Sequence, residues 1–302
     1  MSVIPTVVTD RLGFVIFGQE DTRVRATWRV CLAMPILWIL TGDVLTANVI
    51  VILFQSFQST VIELTSSLLH GGFLLISLLL WARYFDRQAL SNYGISGSLD
   101  WFREFVTGFV VVIIGQGLWI TISSLLGSKS VRMSLSTPDE SILFWLVVPF
   151  VALVLHAAVQ QIVFFRVILK NAAEGLHSRR VNDNQAILAA VPVAIVCFIA
   201  MHGSTPPLRI LDLALTGGIF GLMYLHTGEL GLGIGAHFGA FYSGTVVFRV
   251  IQVTGTLPGV FGTIDQYGFP KMVLAYLVVV AWLLWRHGEI PLQHSIARWN
   301  PE

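Results

Sequence analysis

Long apolar runs separated by short polar segments make up most of this chain. Each run approaches the roughly 20 residues that a helix needs to cross the hydrocarbon core of a bilayer. Because no water is available there to hydrogen-bond the backbone, such runs are expected to be helical. The first run is long enough to tilt or break, and the last is short for a full crossing. The pattern predicts eight membrane spans, at residues 30–56, 64–82, 105–126, 142–165, 186–202, 208–226, 230–251 and 272–285.

The composition supports a membrane protein. Of the 302 residues, 55% are hydrophobic and only 12% are charged, whereas a typical soluble domain has about 25% charged residues. The formal net charge of +1 gives no strong field that would attract nucleic acid. Cys31 and Cys197 both lie in apolar runs, so neither a disulfide framework nor a cysteine-based zinc site is expected. We therefore expect an all-α, multi-pass protein of the cell membrane, in contact with lipid and without a nucleic-acid partner.

The Lys and Arg residues of the predicted loops indicate an orientation. With a cytoplasmic N-terminus, most of the 18 Lys and Arg residues fall on the cytoplasmic side. This bias predicts that both termini are cytoplasmic, although loss of the short eighth span would move the C-terminus outside. Residues 1–29 are predicted to form an interfacial segment, with Trp28 and Arg29 at the level of the lipid headgroups. No internal repeat is evident, and residues 1–302 are predicted to form a single membrane domain.

Polar residues within apolar spans are costly in lipid and are therefore candidates for function. They concentrate in the second half of the chain, in three clusters on successive predicted spans. On a helix, the first and fifth residues of the first cluster share one face. The clusters are His156-Ala-Ala-Val-Gln160-Gln161 followed by Arg166, Phe198-Ile-Ala-Met-His202, and His237-Phe-Gly-Ala-Phe241.

These clusters resemble the three motifs of the CPBP family of intramembrane endopeptidases, also called the CAAX-protease or Abi family. The family's second motif, Phe-x-x-x-His, is matched by Phe198 and His202. Its third motif, His-x-x-x-Asn, is matched by His237, whereas Phe241 stands in the place of Asn. The order and spacing of the clusters are similar to those of the family, and the resemblance defines a motif core over residues 142–251.

The first family motif, Glu-Glu-x-x-x-Arg, is the one from which this chain departs most. Anchoring the motif on Arg166 puts Gln161 at the first glutamate position and Ile162 at the second. If the pair Gln160-Gln161 replaces the glutamate pair instead, the spacing to Arg166 is one residue too long. In both alignments the segment contains no glutamate.

In this family, the resemblance implies, a glutamate activates water to attack a peptide bond, while His and Asn side chains stabilise the oxyanion. Gln161 takes up no proton near neutral pH, and loss of a general base costs about 10²–10⁴ in rate. Loss of an oxyanion donor at Phe241 costs a further factor of ~10²–10³. We therefore expect impaired or absent peptide hydrolysis in a pocket that has no carboxylate. Its predicted lining residues are Gln161, Arg166, His202 and His237.

A CPBP-like protein without peptidase activity is expected to bind a membrane-embedded or prenylated peptide, or a partner protein. A transporter is an alternative, because discontinuous helices mark transport sites. It would use Asp43, His156 and helices broken by the glycines of residues 231–239, although the paired repeats common in transporters are not evident. A structural subunit of a larger membrane complex is the third alternative.

No cofactor is expected. His156, His202 and His237 offer a three-histidine ligand set, which is known for catalytic zinc. We do not favour zinc, because no spaced ligand pair or nearby carboxylate supports it. Glu174 and Glu229 lie outside the predicted spans, so they would reach the site only through a fold-back of the chain.

The same polar residues also have structural interpretations. Side-chain amides of glutamine link membrane helices, and Arg166 can extend along apolar surface towards the membrane interface. Span counting puts His202 at the outer end of its helix and His237 near the inner end of its own. A shared site therefore requires a helix that starts late or breaks, near Pro192 or within residues 203–207.

Overall fold

The computed structural model describes residues 24–41, 59–126, 130–133, 142–177, 181–203, 206–243, 251–254 and 268–298. These residues are mainly helical, as the sequence predicts. The α-helices are α1 (Ala26–Thr41), α2 (Ser59–Trp81), α3 (Leu99–Leu125), α4 (Ile142–Gln161), α5 (Lys170–His177), α6 (Asp183–Met201), α7 (Pro207–Thr227), α8 (Gly231–Tyr242) and α9 (Phe269–His287).

Shorter elements connect these helices. Two π-helical segments follow α2 and α4, and two 3₁₀ turns lie in the connections after α2 and α9. A two-stranded antiparallel ribbon joins the segments that follow α3 and α8. The π segments are Ala82–Asp86 and Ile162–Leu169, the 3₁₀ turns are Leu90–Tyr93 and His294–Ala297, and the strands are β1 (Ser130–Met133) and β2 (Ile251–Thr254).

Five helices in the described part of the chain are long and apolar enough to cross a membrane, which supports a multi-pass membrane protein. They agree with the third to sixth and the eighth predicted spans, and the eighth is longer than predicted. The five are Leu99–Leu125, Pro149–His177, Asp183–Met201, Pro207–Thr227 and Phe269–His287.

The predicted span over residues 230–251 needs correction at its end. Helix α8 ends at Tyr242, and Ile251 is the first residue of strand β2. The β-branched residues Ile251, Val253 and Thr254 favour an extended backbone, and they pair with β1 in register, Val131 opposite Val253. Asp43, which the transporter alternative would use, lies outside the described residues.

The ends of α6 and α7 show where the chain turns after the second motif. Helix α6 runs without interruption through Pro192, so the predicted break at that residue is wrong. It ends just before Gly203, whose φ of +71° is a conformation that favours glycine. Pro207 then starts α7, where its missing N–H costs nothing. The turn at residues 203–207 was predicted correctly.

Glycines bring α8 into direct backbone contact with α3. A Cβ atom at Gly235 would lie 1.9 Å from the carbonyl oxygen of Phe105, and one at Gly108 would lie 2.1 Å from that of Leu232. Small residues allow this close approach between membrane helices. Because α8 is continuous through these positions, its glycines serve packing, and the expectation of glycine-broken helices there is wrong.

A buried ionic network fastens α1 to the rest of the bundle. The Arg29 guanidinium donates to Asp86 at 3.0 Å and to Glu174 at 3.1 Å. Glu174 also accepts a hydrogen bond from Lys170 at 2.6 Å. Arg29 was predicted to face the headgroups, but it is 3% exposed and lies inside the protein, where two carboxylates compensate its charge. Glu174 is engaged by Arg29 and Lys170 in this network.

Candidate functional site

The first and third sequence clusters meet through a hydrogen bond between α4 and α8. Gln161 Nε2 lies 3.2 Å from His237 Nδ1, and the two residues are 0% and 4% exposed. An amide N–H only donates, so it binds the unprotonated Nδ1 of the ring. The proton of neutral His237 is then on Nε2, which makes that nitrogen a hydrogen-bond donor.

A glycine on α8 makes room for the Gln161 side chain. A Cβ atom at Gly233 would lie 2.6 Å from Gln161 Oε1. That oxygen is buried and has no hydrogen-bond partner. Gly233 therefore allows α4 and α8 to approach closely enough for Gln161 to reach His237, four residues further along α8.

The second cluster joins this pair through an aromatic ring. His202 Nδ1 donates to the carbonyl oxygen of Phe198, one turn earlier, at 2.7 Å. The Phe198 ring lies 4.7 Å from the His202 ring and 6.5 Å from the His237 ring, centroid to centroid. Gly217 on α7 leaves space for Phe198, since a Cβ atom there would be 3.0 Å from the ring. When His202 is neutral, its Nε2 is free of a proton and can accept a hydrogen bond.

Both histidines line one cavity of about 170 Å³, which we call the histidine cavity. Its wall on α7 runs from Arg209 to Phe220, which corresponds to about 17 Å along the helix axis. This length explains how His202 at the end of α6 and His237 within α8 share one space although they differ in depth. Residues of its lining include His202, Asp212, Phe220, His237, Phe241 and Lys271.

Phe241 occupies the space beside His237 where the family has asparagine. Its ring stacks on the His237 ring at 4.7 Å, and Phe220 covers the opposite face at 4.4 Å. His156 contacts the edge of Phe241 at 5.4 Å, and its Nε2 lies 2.9 Å from Gln160 Nε2. The ring of Phe241 thus contacts both His156 and His237. Within the described ranges, no group of three or more His, Cys, Asp or Glu side chains is placed to hold a metal ion.

A carboxylate lies in the histidine cavity, contrary to the expectation from the sequence. Asp212 is 2% exposed, and its Oδ1 accepts a hydrogen bond from the backbone N–H of Phe269 at 2.7 Å. Its other oxygen pairs with Arg209, one turn earlier on α7. The sequence signal was an Arg-x-x-Asp pair at the start of a predicted apolar span, which places two opposite charges on one helix face.

Arg166 does not join the other predicted site residues. Its Nε donates to the carbonyl oxygen of Asn92, and its Nη2 donates to Gln88 Oε1 at 3.2 Å. The guanidinium also lies 5.2 Å from the centre of the Tyr93 ring. Arg166 is 7% exposed, so it is buried against the connection that follows α2 and does not extend along an exposed apolar surface.

Comparison with known proteins gives one family match. Residues 143–242 match the model of a family described as Type II CAAX prenyl endopeptidase Rce1-like. The matched segment contains all three polar clusters. The chain has no significant match among curated proteins or among solved structures.

Proposed function

Since residues 143–242 make this chain a member of the CPBP family of CAAX-protease-like membrane proteins, we propose that it is a pseudoprotease. It binds a membrane-embedded or prenylated peptide, or the corresponding segment of a partner protein, in the histidine cavity and does not hydrolyse it. The observation that carries this proposal is the amide of Gln161, which is hydrogen-bonded to His237 where the family's mechanism needs a carboxylate.

The hydrogen-bonding groups of the cavity suit a peptide group. His237 Nε2 is a donor for a carbonyl oxygen, because Gln161 engages Nδ1. His202 Nε2 is an acceptor for a backbone N–H, because Nδ1 donates to Phe198. Buried polar groups that bind a peptide backbone in this way supply affinity and orientation without any bond-breaking step.

The π-helical segment after Gln161 supports alignment of the glutamine pair with the family's glutamate pair. In that alignment, the pair Gln160-Gln161 is one residue further from Arg166 than the glutamate pair is from the arginine of the family motif. In a purely α-helical segment, this extra residue would rotate the pair relative to Arg166. Residues 162–169 are π-helical, and each π turn holds one more residue than an α turn. The extra residue is thus absorbed, and both glutamates of the motif correspond to glutamines, Gln160 and Gln161.

Phe241 gives a second reason to expect little or no peptide hydrolysis. Its ring is stacked on His237 and supplies no hydrogen-bond donor for an oxyanion. Removal of one such donor costs a factor of about 10²–10³ in rate. The same aromatic surface is well suited to contact an apolar peptide side chain or a prenyl group.

A cleavage assay on the purified chain tests the proposal. The substrate is a farnesylated peptide with a CAAX terminus, and the compared proteins are wild type, the double variant Gln161→Glu/Phe241→Asn, and Gln116→Glu. The control variant, Gln116→Glu, adds a carboxylate to the histidine cavity at a position outside the three motifs. We expect background rates for wild type and the control, and measurable cleavage by the double variant. Wild-type cleavage that His202→Ala abolishes would show an active protease, and wild-type cleavage that survives His202→Ala would exclude this site.

A second candidate function is slow hydrolysis with Asp212 as the proton acceptor. It is favoured by one observation, the presence of this buried carboxylate in the histidine cavity. Against it, Arg209 and the Phe269 amide already bind both carboxylate oxygens, so neither oxygen faces a water molecule without a donor in place. Asp212→Asn keeps the shape of the side chain, so residual wild-type cleavage that disappears in this variant would support the second candidate.

We also propose that both ends of the chain face the cytoplasm and that the membrane is the cell membrane. The support is the distribution of Lys and Arg among the predicted loops. In addition, Arg29 contacts Glu174 and Arg298 contacts Lys170, both on α5, so the first and last described segments of the chain meet the same short helix.

A further inference from the structure

A second cavity, of about 280 Å³, lies at the opposite end of α7 from the histidine cavity. We call it the cationic cavity, because Arg166, Lys170 and Arg298 line it together. Tyr224 and Gly228 form its wall on α7. The 3₁₀ turn near the C-terminal end of the described chain forms another wall.

Arg166 carries a positive charge that is buried in the protein. It is 7% exposed, and its hydrogen-bond partners are a backbone carbonyl and an amide oxygen, both uncharged. Among the described residues it forms no ion pair, whereas Lys170 pairs with Glu174 and Arg298 pairs with Asp183. A buried charge is costly unless an opposite charge compensates it. Arg166 therefore leaves an unbalanced positive charge at the wall of a cavity.

Glu229 is the carboxylate of this cavity, but it does not neutralise Arg166. No ion pair within 4 Å joins these two residues in the described structure, and Glu229 Oε2 is buried without a hydrogen-bond partner. Burial raises the pKa of the Glu229 carboxyl, and the charge of Arg166 offsets only part of this rise. Because Glu229 forms no ion pair with Arg166 in the described structure, the Arg166 guanidinium keeps its charge unpaired at the cavity wall.

Two further residues of the cavity lining offer hydrogen-bond donors. Tyr224 and Ser295 each bring a hydroxyl group to the cavity. The wall near the C-terminus is held in place, since Gln293 N–H donates to the carbonyl oxygen of Leu225 at 2.9 Å. His226 Nδ1 similarly binds the carbonyl oxygen of Pro291 at 2.8 Å. The donors are therefore positioned before any ligand arrives, which favours binding.

We propose that the cationic cavity binds a phosphate group, carried either by a soluble phosphate ester or by a lipid headgroup. A guanidinium matches the oxygens of a phosphate in a two-point contact, and an ammonium adds a point charge. The cavity offers both, from Arg166 and Lys170, with Arg298 at its exposed rim. Because Lys170 and Arg298 already pair with Glu174 and Asp183, Arg166 supplies the charge that a phosphate would neutralise.

Thermal unfolding of the full-length chain in detergent tests this site, with inorganic phosphate as the probe. Sodium chloride and sodium acetate at equal ionic strength are the reference salts. We expect a saturable rise in the unfolding temperature with phosphate alone. Arg166→Gln and Arg298→Gln are each expected to weaken phosphate binding about tenfold or more. Arg103→Gln is the matched control, because Arg103 is exposed and pairs with Asp100.

Arg298→Gln keeps the test informative if Arg166→Gln fails to fold, since the Arg298 side chain is 61% exposed. Two further arms distinguish the sources of the phosphate. Stabilisation by glycerol phosphate in detergent indicates a soluble ester, and stabilisation only in nanodiscs that contain phosphatidic acid, against phosphatidylcholine alone, indicates a headgroup. Equal responses to phosphate, acetate and chloride in all media, or equal phosphate responses of wild type and Arg298→Gln, would overturn the proposal.

Discussion

At the scale of single residues, the contact between Gln161 and His237 sets what the histidine cavity can do. The amide fixes the imidazole as a donor at Nε2 but accepts no proton itself. Gln161 Oε1 remains buried without a partner, which costs free energy in the folded state. A cavity arranged in this way suits recognition of a peptide group better than its cleavage.

Gly233→Ala tests how tightly Gln161 is held. The new Cβ atom would lie 2.6 Å from Gln161 Oε1, so either the side chain or α8 must move. Such overpacking costs about 1–3 kcal/mol, and we expect a lower unfolding temperature in detergent. In the control Gly117→Ala, nothing lies within 4 Å of the new atom, and an alanine in a helix stabilises by about 0.5–1 kcal/mol relative to glycine. Equal behaviour of the two variants would contradict the described contact.

The residues that sequence patterns could identify were those with a helical spacing and a motif. Phe198, His202 and His237 were found in this way, and the structure brings them to one cavity, with Gln161 hydrogen-bonded to His237 behind it. Asp212 was missed, because a periodic pattern gives the face of a helix but not which neighbouring helix covers it. In the folded chain, the ion pair with Arg209 and the hydrogen bond from the Phe269 backbone N–H stabilise the buried carboxylate of Asp212.

At the scale of elements, the π-helical segment between α4 and α5 separates two sets of polar residues on one continuous helix. Gln161 precedes the segment and contacts α8, whereas Arg166 lies within it and contacts the connection after α2. The resemblance to the family's first motif, which ends at Arg166, was the reason for placing Arg166 with the histidines. A change in helix type is invisible to hydrophobic spacing when every residue of the segment is buried, as is the case for residues 162–169.

Arg29→Gln tests the ionic network that fastens α1. The variant leaves the buried carboxylates of Asp86 and Glu174 without their shared cation. Removal of one partner of a buried ion pair costs about 3–5 kcal/mol, so we expect a large fall in the unfolding temperature. Arg103→Gln breaks an exposed pair of the same kind, for which the expected loss is about 0–1 kcal/mol. Similar losses in the two variants would argue against a stabilising role for the network.

At the scale of the whole molecule, the two cavities lie towards opposite ends of the helical bundle. Asp212 near the start of α7 lines one, and Gly228 at its end lines the other. Asp212 and Gly228 lie about 24 Å apart along the helix axis, whereas the two linings come within about one helical turn of each other at Phe220 and Tyr224. The apolar runs predicted the spans, but the loop charges alone were the basis for the orientation of the bundle.

Cysteine labelling tests that orientation. In a background without Cys31 and Cys197, Ser295→Cys marks the end of the bundle near Arg298, and Leu126→Cys marks the end of α3; both positions are exposed. With both termini in the cytoplasm, a membrane-impermeant thiol reagent is expected to label Leu126→Cys in intact cells. Ser295→Cys should react only after permeabilisation. The reverse pattern would place the termini outside, and the result also fixes the side from which a peptide reaches the histidine cavity.

The central claim is that the histidine cavity holds a peptide that it does not cut. The most direct measurement is equilibrium binding of a fluorescent farnesylated CAAX peptide to the wild-type chain in detergent, followed by mass spectrometry of the recovered peptide. We predict saturable binding that His202→Ala weakens, with the peptide recovered intact. Recovery of a shortened peptide from the wild-type sample, or the absence of saturable binding, would contradict the account.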